Sequence, residues 1–216
     1  MSYMPHGTNR ATRKTGLTPR ARERRATILN AAREVFVRDG YHEAKLTQIA
    51  REAHCSVGTL YTYFEDRDDL LAAVLNQVEE EMRGSGGKHL NFHSASAVRR
   101  SITEVNRQYL ATFQRNAREM ALMDQVAQID PNFREQRRQR ARRFVDRNTR
   151  MIEQLQQNGV IPVAEDPEML AASLSGMVSR LAYSMFVEKY FGEPNQRTLD
   201  RVLATANKVW FTALGI

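Results

Sequence analysis

Apolar residues in this chain recur every three or four positions, and no segment alternates apolar with polar residues at period two. That spacing winds one apolar stripe onto a helix and leaves no pleated face for a sheet to bury. It predicts an all-α fold. Turn and cap residues then divide the helices. Thr18-Pro19 reads as a start, with Thr as N-cap and Pro at the first helical position, where its missing N–H costs nothing. Ile28, Leu29, Ala32, Val35 and Phe36 keep the period to Asp39, and Gly40 is expected to end the helix as a left-handed residue beyond its C-terminus. A short helix follows from about Leu46 to Ala53, with Leu46, Ile49, Ala50 and Ala53 facing inward.

His54-Cys55 connects that helix to the stretch Ser56-Val57-Gly58-Thr59-Leu60-Tyr61-Thr62-Tyr63-Phe64. Leu60 and Phe64 are four apart and apolar, so they point into a core. Ser56 is a good N-cap. Val57, Gly58, Thr59, Tyr61, Thr62 and Tyr63 cover the rest of the cylinder, and two of them carry phenols outward. Gly inside a helix costs about 1 kcal/mol against Ala, and close approach to another surface is a reason to keep it. Helix, tight turn and short helix with an apolar seam on both make a helix-turn-helix. A helix that packs on one side and offers small groups and hydroxyls on the other suits a DNA major groove.

Asp66, with Asp69 three residues on, caps a helix carrying Leu70, Leu71, Val74, Leu75 and Val78 to about Arg83. The run Gly84-Ser85-Gly86-Gly87 reads as a flexible break. Further helices are expected over about 95–115, 117–129, Pro131 to Asn158, Pro167 to Phe191 and Gln196 to Leu214. The expected organisation is a disordered basic arm at 1–18, a helix-turn-helix domain at 19–66, a connecting helix and break at 67–88, and a larger helical domain at 89–216.

Charge indicates the partner. The net charge is +7, and residues 1–25 hold seven Lys/Arg against one Glu, so an acidic partner such as DNA is expected. The single cysteine, Cys55, rules out an intrachain disulfide and fits a reducing cytoplasm. The amino-terminal residues have no apolar run, so no secretory signal and no membrane association are expected.

The set Ile28/Ala31/Ala32/Phe36, Gly40-Tyr41, Leu46, Ile49-Ala50, Ser56, Gly58, Leu60-Tyr61, Phe64 and Arg67 before Asp69-Leu70 resembles the TetR family of bacterial transcriptional regulators. The resemblance covers about residues 20–75; the rest matches in helical layout only. It implies a homodimeric repressor on a palindromic double-stranded operator, released when a small effector binds the second domain. It places Tyr61 and Tyr63 against phosphates, Val57 and Thr59 at base edges, and Gly58 where the helix sits close. Ser56 and Thr62 share that surface, Thr47 and Lys45 flank it, and Arg67 holds a phosphate. The chain departs from the family pattern at three positions: His54 where Gly is preferred, Cys55 where an aliphatic residue is usual, and Lys45 where Ser or Thr commonly caps. A strained turn, a buried thiol and a weaker cap are expected there.

Elsewhere each feature admits two readings. Arg10, Arg13, Lys14, Arg20, Arg22, Arg24 and Arg25 either follow phosphates and enter a minor groove or form a solubilising tail. The arginines at 134, 137, 138, 140, 142, 143, 147 and 150 are either a solvated face or partners for an anionic effector such as an acyl-CoA. Tyr109, Phe113, Met120, Met123, Phe144, Met151, Met177, Leu181 and Phe186 line an apolar effector pocket or pack as core, with Asn106, Asn148 and Arg180 near enough to fix a polar head. Ala172, Ser175, Gly176 and Ser179, with Val202, Val209 and Trp210, suit a two-fold interface or intrachain packing. His89 and His93 lack a third metal ligand, and Cys55 lacks an activating partner. No catalytic residue, metal or cofactor is expected. The alternative function is an all-α small-molecule carrier or enzyme that retains a helix-turn-helix.

Overall fold

The computed structural model describes residues 18–84, 94–163 and 166–216, and among these it contains nine helices and no strand. They are α1 (Pro19–Glu43), α2 (Leu46–Glu52), α3 (Val57–Tyr63), α4 (Arg67–Gly84), α5 (Ala95–Arg115), α6 (Ala117–Ile129), α7 (Pro131–Gln157), α8 (Pro167–Phe186) and α9 (Gln196–Leu214). The chain divides into two compact units within α4, between Val74 and Leu75. The expected basic arm before Thr18, the glycine run beyond Gly84, and His89 and His93 lie outside the described residues.

In the first unit the expected caps form. Thr18 Oγ1 accepts from Ala21 N–H at 3.3 Å, and Ser56 Oγ accepts from Thr59 N–H at 3.1 Å. Asp66 Oδ1 accepts from Asp69 N–H at 2.8 Å, while Asp69 reaches back to Glu65 N–H at 3.0 Å. Lys45 gives α2 no side-chain cap; Gln48 Oε1 instead accepts from the Lys45 N–H at 3.4 Å. Ile28, Val35, Phe36, Ile49, Leu60 and Leu70 are buried in this unit, and burying such a side chain stabilises by about 1.5–3 kcal/mol.

Three expectations are corrected here. Gly40 has the expected positive φ, 79° with ψ 167°, but it interrupts α1 instead of ending it, and the helix resumes as far as Glu43. Arg20, Arg22, Arg24 and Arg25 belong to α1 and not to an arm, and Arg25 lies over the Phe64 ring at 5.1 Å. Cys55 is half-buried rather than buried.

The second unit packs α5 to α9 around Val98, Ile152, Leu155, Ala171, Leu174, Ala206 and Trp210. α7 and α8 follow one another as a hairpin. Gly159, at φ 66°, closes α7, and Val160 N–H bonds back to Leu155 O at 2.9 Å. α8 ends at Phe186, five residues before the expected Phe191. Val187 and Glu188 N–H both donate to Tyr183 O, and Tyr190 N–H donates to Ser184 O. The Glu188 carboxylate folds back to accept from Ser184 Oγ at 3.0 Å and from Arg180 at 2.9 Å, so polar residues finish this helix ahead of Gly192.

Candidate nucleic-acid interface and candidate cavity

α2, a turn and α3 form the first candidate site. Ala53 N–H and His54 N–H bond back to Ile49 O and Arg51 O, and Cys55 N–H reaches Ala50 O at 2.9 Å. His54 takes φ 49°, the positive value for which the turn favours glycine. Leu60 and Phe64 are buried, which turns the rest of α3 outward. Ser56, Gly58, Tyr61 and Thr62 are exposed, Tyr61 by 57%; Val57, Thr59 and Tyr63 are half-buried. Ser56 Oγ and Thr59 Oγ1 lie 2.9 Å apart, and Thr62 Oγ1 donates to Gly58 O at 3.2 Å, so these hydroxyls are held in place.

Gly58 has an ordinary helical conformation. A Cβ added there would meet only Ser56 Oγ, at 3.7 Å. Nothing among the described residues therefore requires a glycine at this position. Thr47 and Lys45 are exposed at the start of α2. Arg67 is half-committed elsewhere: it donates to His42 O at 3.2 Å and stacks on the Tyr41 ring at 4.5 Å, while Tyr41 Oη donates to Asp68 at 2.8 Å. A guanidinium has five donors, so others remain for a phosphate.

The second candidate site is a cavity of about 550 Å3 inside the second unit. α5 contributes Asn106, Tyr109 and Phe113, α6 Met120 and Asp124, α7 the row from Arg134 to Met151, α8 Ala172 to Tyr183, and α9 Trp210. The Tyr109 ring meets Phe144 edge-on at 5.9 Å and Phe113 at 6.1 Å. Asn148 Nδ2 donates to Ser175 Oγ at 2.8 Å, and Asn106 Nδ2 donates to Asn207 Oδ1 at 2.9 Å. Seven of the expected lining residues are in place: Asn106, Tyr109, Phe113, Met120, Phe144, Asn148 and Met151. Met123, Met177, Leu181 and Phe186 are not among the lining. Met177 and Leu181 pack against the core cluster instead, and Arg180 is drawn away by Glu188.

Asp124, Val105, Ala141, Val145 and Tyr183 line the cavity without having been singled out as lining residues. Burial, with the nearby Asp124 and Glu188 carboxylates, holds the Tyr183 phenol above its usual value. Five arginines of α7, at 134, 137, 138, 140 and 147, border the same space, whereas Arg142, Arg143 and Arg150 do not. Burial lowers the proton affinity of the Arg140 guanidinium, an effect only partly offset by Tyr109, Glu79 and Asp124.

The expected interface residues differ in exposure within this chain. Val202 and Trp210 are buried within this chain, Trp210 to 4% exposure, and so have almost no surface to give to a second copy. Ala172, Ser175, Gly176 and Ser179 line the cavity beside α7; a Cβ on Gly176 would meet nothing within 4 Å, so no close helix contact requires it. Val209 is 40% exposed and remains available. Among the described residues no group of three or more His, Cys, Asp or Glu could hold a metal ion, and no helix is long and apolar enough to cross a membrane.

Residues 28–74 match the family model of bacterial regulatory proteins, tetR family, and residues 98–215 match that of the C-terminal domain of transcriptional regulator EthR. The chain is similar to the HTH-type transcriptional regulator HbdR of Aromatoleum sp. (strain CIB), 46% identical over 56 residues, or 26% of this chain and 24% of that protein. The matched stretch thus spans about a quarter of that relative's length. A TetR-like transcriptional regulator from Rhodococcus sp. RHA1 has the same fold at TM-score 0.64 and 22% identity, over 93% of this chain and 100% of that one. So does FadR from Bacillus subtilis, solved in complex with stearoyl-CoA, at TM-score 0.66 and 17% identity over 88% of this chain and 97% of that one.

Proposed function

We propose, for a chain that belongs to the TetR family of bacterial regulatory proteins, a homodimeric transcriptional repressor that reads a palindromic operator with α3 and releases it when an apolar or amphipathic effector fills the cavity. The observation that carries this reading is the outer face of α3. It is exposed, rich in hydroxyls, and keeps a glycine that its own packing does not need. A backbone brought close to a groove floor is the remaining use for Gly58. Tyr61 and Tyr63 then meet phosphates, Val57 and Thr59 meet base edges, and Thr47, Lys45 and Arg67 add flanking contacts.

The effector half of the proposal is supported by the cavity, whose volume lies in the range usual for small-molecule sites, about 300–1,000 Å3. The stearoyl-CoA bound by the Bacillus FadR, a protein of the same fold, is consistent with it. Repression would be relieved because the effector binds the DNA-free arrangement more tightly, and by linkage DNA then lowers effector affinity by the same factor. The dimer would form through the face of α9 that holds Val209.

The test is selection of genomic fragments by the purified chain, followed by anisotropy titrations at several salt concentrations. Binding of one palindromic site by two chains, with affinity falling steeply as salt rises, is expected. A chain that ignores DNA at low salt yet binds small molecules would instead be a carrier or an enzyme.

A further inference from the structure

We propose that the cavity takes an amphipathic organic anion, an apolar chain or ring whose acidic head seats against Arg140; this rests on reading the cavity as the effector site. Arg140 lines the cavity and is only 8% exposed. Its Nη1 donates to Met120 Sδ and Met123 Sδ, each at 3.2 Å. Thioether sulfur is a weak acceptor. No carboxylate among the described residues lies within ion-pair distance of Arg140.

Three of the other four arginines around the cavity are occupied. Arg134 donates to Ala127 O and Gln128 O, Arg137 to Asp124 at 2.6 Å, and Arg138 pairs with Glu135 at 2.8 Å. Arg147, two turns beyond Arg140 on α7, rests over the Phe144 ring at 5.0 Å and makes no ion pair among the described residues. A guanidinium cannot shed its proton in a protein. Arg140 is therefore a buried, permanent charge whose direct acceptors are neutral and poor and whose nearest carboxylates, Glu79 and Asp124, are paired with Arg143 and Arg137; burial of that kind is ordinarily compensated by an anion.

The rest of the lining is largely apolar, with Asn106, Asn148 and Ser175 set among the apolar side chains. Met151, Ile102 and Trp210 belong to it, and Met151 lies eleven residues along α7 from Arg140, about 16 Å at the helical rise. A ligand with a charged head and an apolar body of that length fits this span. The anion can belong to a free carboxylate or to the phosphates of an acyl thioester of coenzyme A, and the experiment separates the two.

Decanoate, 1-decanol and decanoyl-CoA would be titrated against the full chain. Trp210, the one tryptophan, reports on the cavity by fluorescence, and the thermal midpoint is a second readout. Decanoate is expected to bind about tenfold to a hundredfold more tightly than decanol. Arg140→Met should remove that preference while leaving decanol binding intact. It should also raise the thermal midpoint of the unliganded protein, because a buried charge that Glu79 and Asp124 offset only in part is gone, and this shows the variant folds. If decanoyl-CoA binds more tightly than decanoate and loses the advantage in Arg140→Met, the head is the nucleotide; the reverse order assigns it to the carboxylate. Equal binding of decanol and decanoate, or a preference that survives Arg140→Met, overturns the proposal and leaves the effector cavity standing. Silence of all three probes in both readouts overturns the two together.

Discussion

Gly58→Ala pulls stability and DNA binding in opposite directions, which makes it a sharp test of the α3 face. Ala is better than Gly inside a helix by about 0.5–1 kcal/mol. The added Cβ would meet only Ser56 Oγ, at 3.7 Å, an ordinary contact, so packing takes back none of that gain. The free variant should therefore be more stable, by about 1–4 °C in Tm for a chain of this size. In the complex the methyl must fit between the helix and the groove floor. If the backbone sits there at van der Waals distance, the helix is displaced and the base-edge contacts of Val57 and Thr59 lengthen. A loss of about tenfold or more in operator affinity, some 1.4 kcal/mol, is expected. The salt slope should stay constant, because no cation has been removed. Thermal unfolding and anisotropy titration at two ionic strengths measure all three. A variant with raised Tm and wild-type operator affinity would refute the reasoning, since Gly58 would then face open solvent in the complex.

Other substitutions probe other parts of the molecule. Tyr61→Phe should weaken operator binding by about 0.5–1.5 kcal/mol, the worth of one hydrogen bond, and leave Tm unchanged, since Tyr61 is largely exposed; full-strength binding in a mobility shift would remove the phosphate role. Trp210→Ala should destabilise by about 3–5 kcal/mol, independently of protein concentration, because the ring packs within its own chain; a loss that protein concentration restores would return Trp210 to a subunit interface. Tyr41→Phe should cost about 1 kcal/mol at neutral pH through the bond to Asp68. Burial and Asp68 raise the Tyr41 pKa above 10, so its contribution is full below that pH and fades as pH rises through the folded value. Wild type and Tyr41→Phe should converge in strongly alkaline denaturation profiles, and a constant gap would show that the phenol proton is not involved.

The helices were legible because caps and breakers act locally. Thr18-Pro19, Ser56, Asp66, Asp166-Pro167 and Asn195 each determine a helix start through bonds within three residues, and all of these starts are where the sequence puts them. α8 was overextended because its end depends on Glu188 folding back onto Arg180 and Ser184, an interaction no period reveals. The outward face of α3 was readable for the same local reason, since Leu60 and Phe64 fix its inner side. Local pattern alone leaves the interface open. Small residues permit close packing equally well within a chain and between chains, and here Ser175 bonds to Asn148 of the neighbouring helix in its own chain.

The arginine row of α7 shows where more could have been extracted from the sequence. Eight arginines look interchangeable when counted, but their phase on the helix differs. Phe133, Arg140, Phe144, Arg147 and Met151 follow one another at spacings of seven, four, three and four, which is a single apolar stripe with two cations set into it. Arg142, Arg143 and Arg150 fall off that stripe and are exposed. A cation in the apolar phase must be paired, or a ligand must supply its anion, because the alternative is a desolvated charge. Pairing is a tertiary fact. Asp124 pairs with Arg137 and Glu135 with Arg138, and only the folded chain shows that Arg140 and Arg147 have no ion pair among the described residues. Periodicity can thus nominate the residues of a polar subsite, and its unmatched members identify the charge a ligand there would carry.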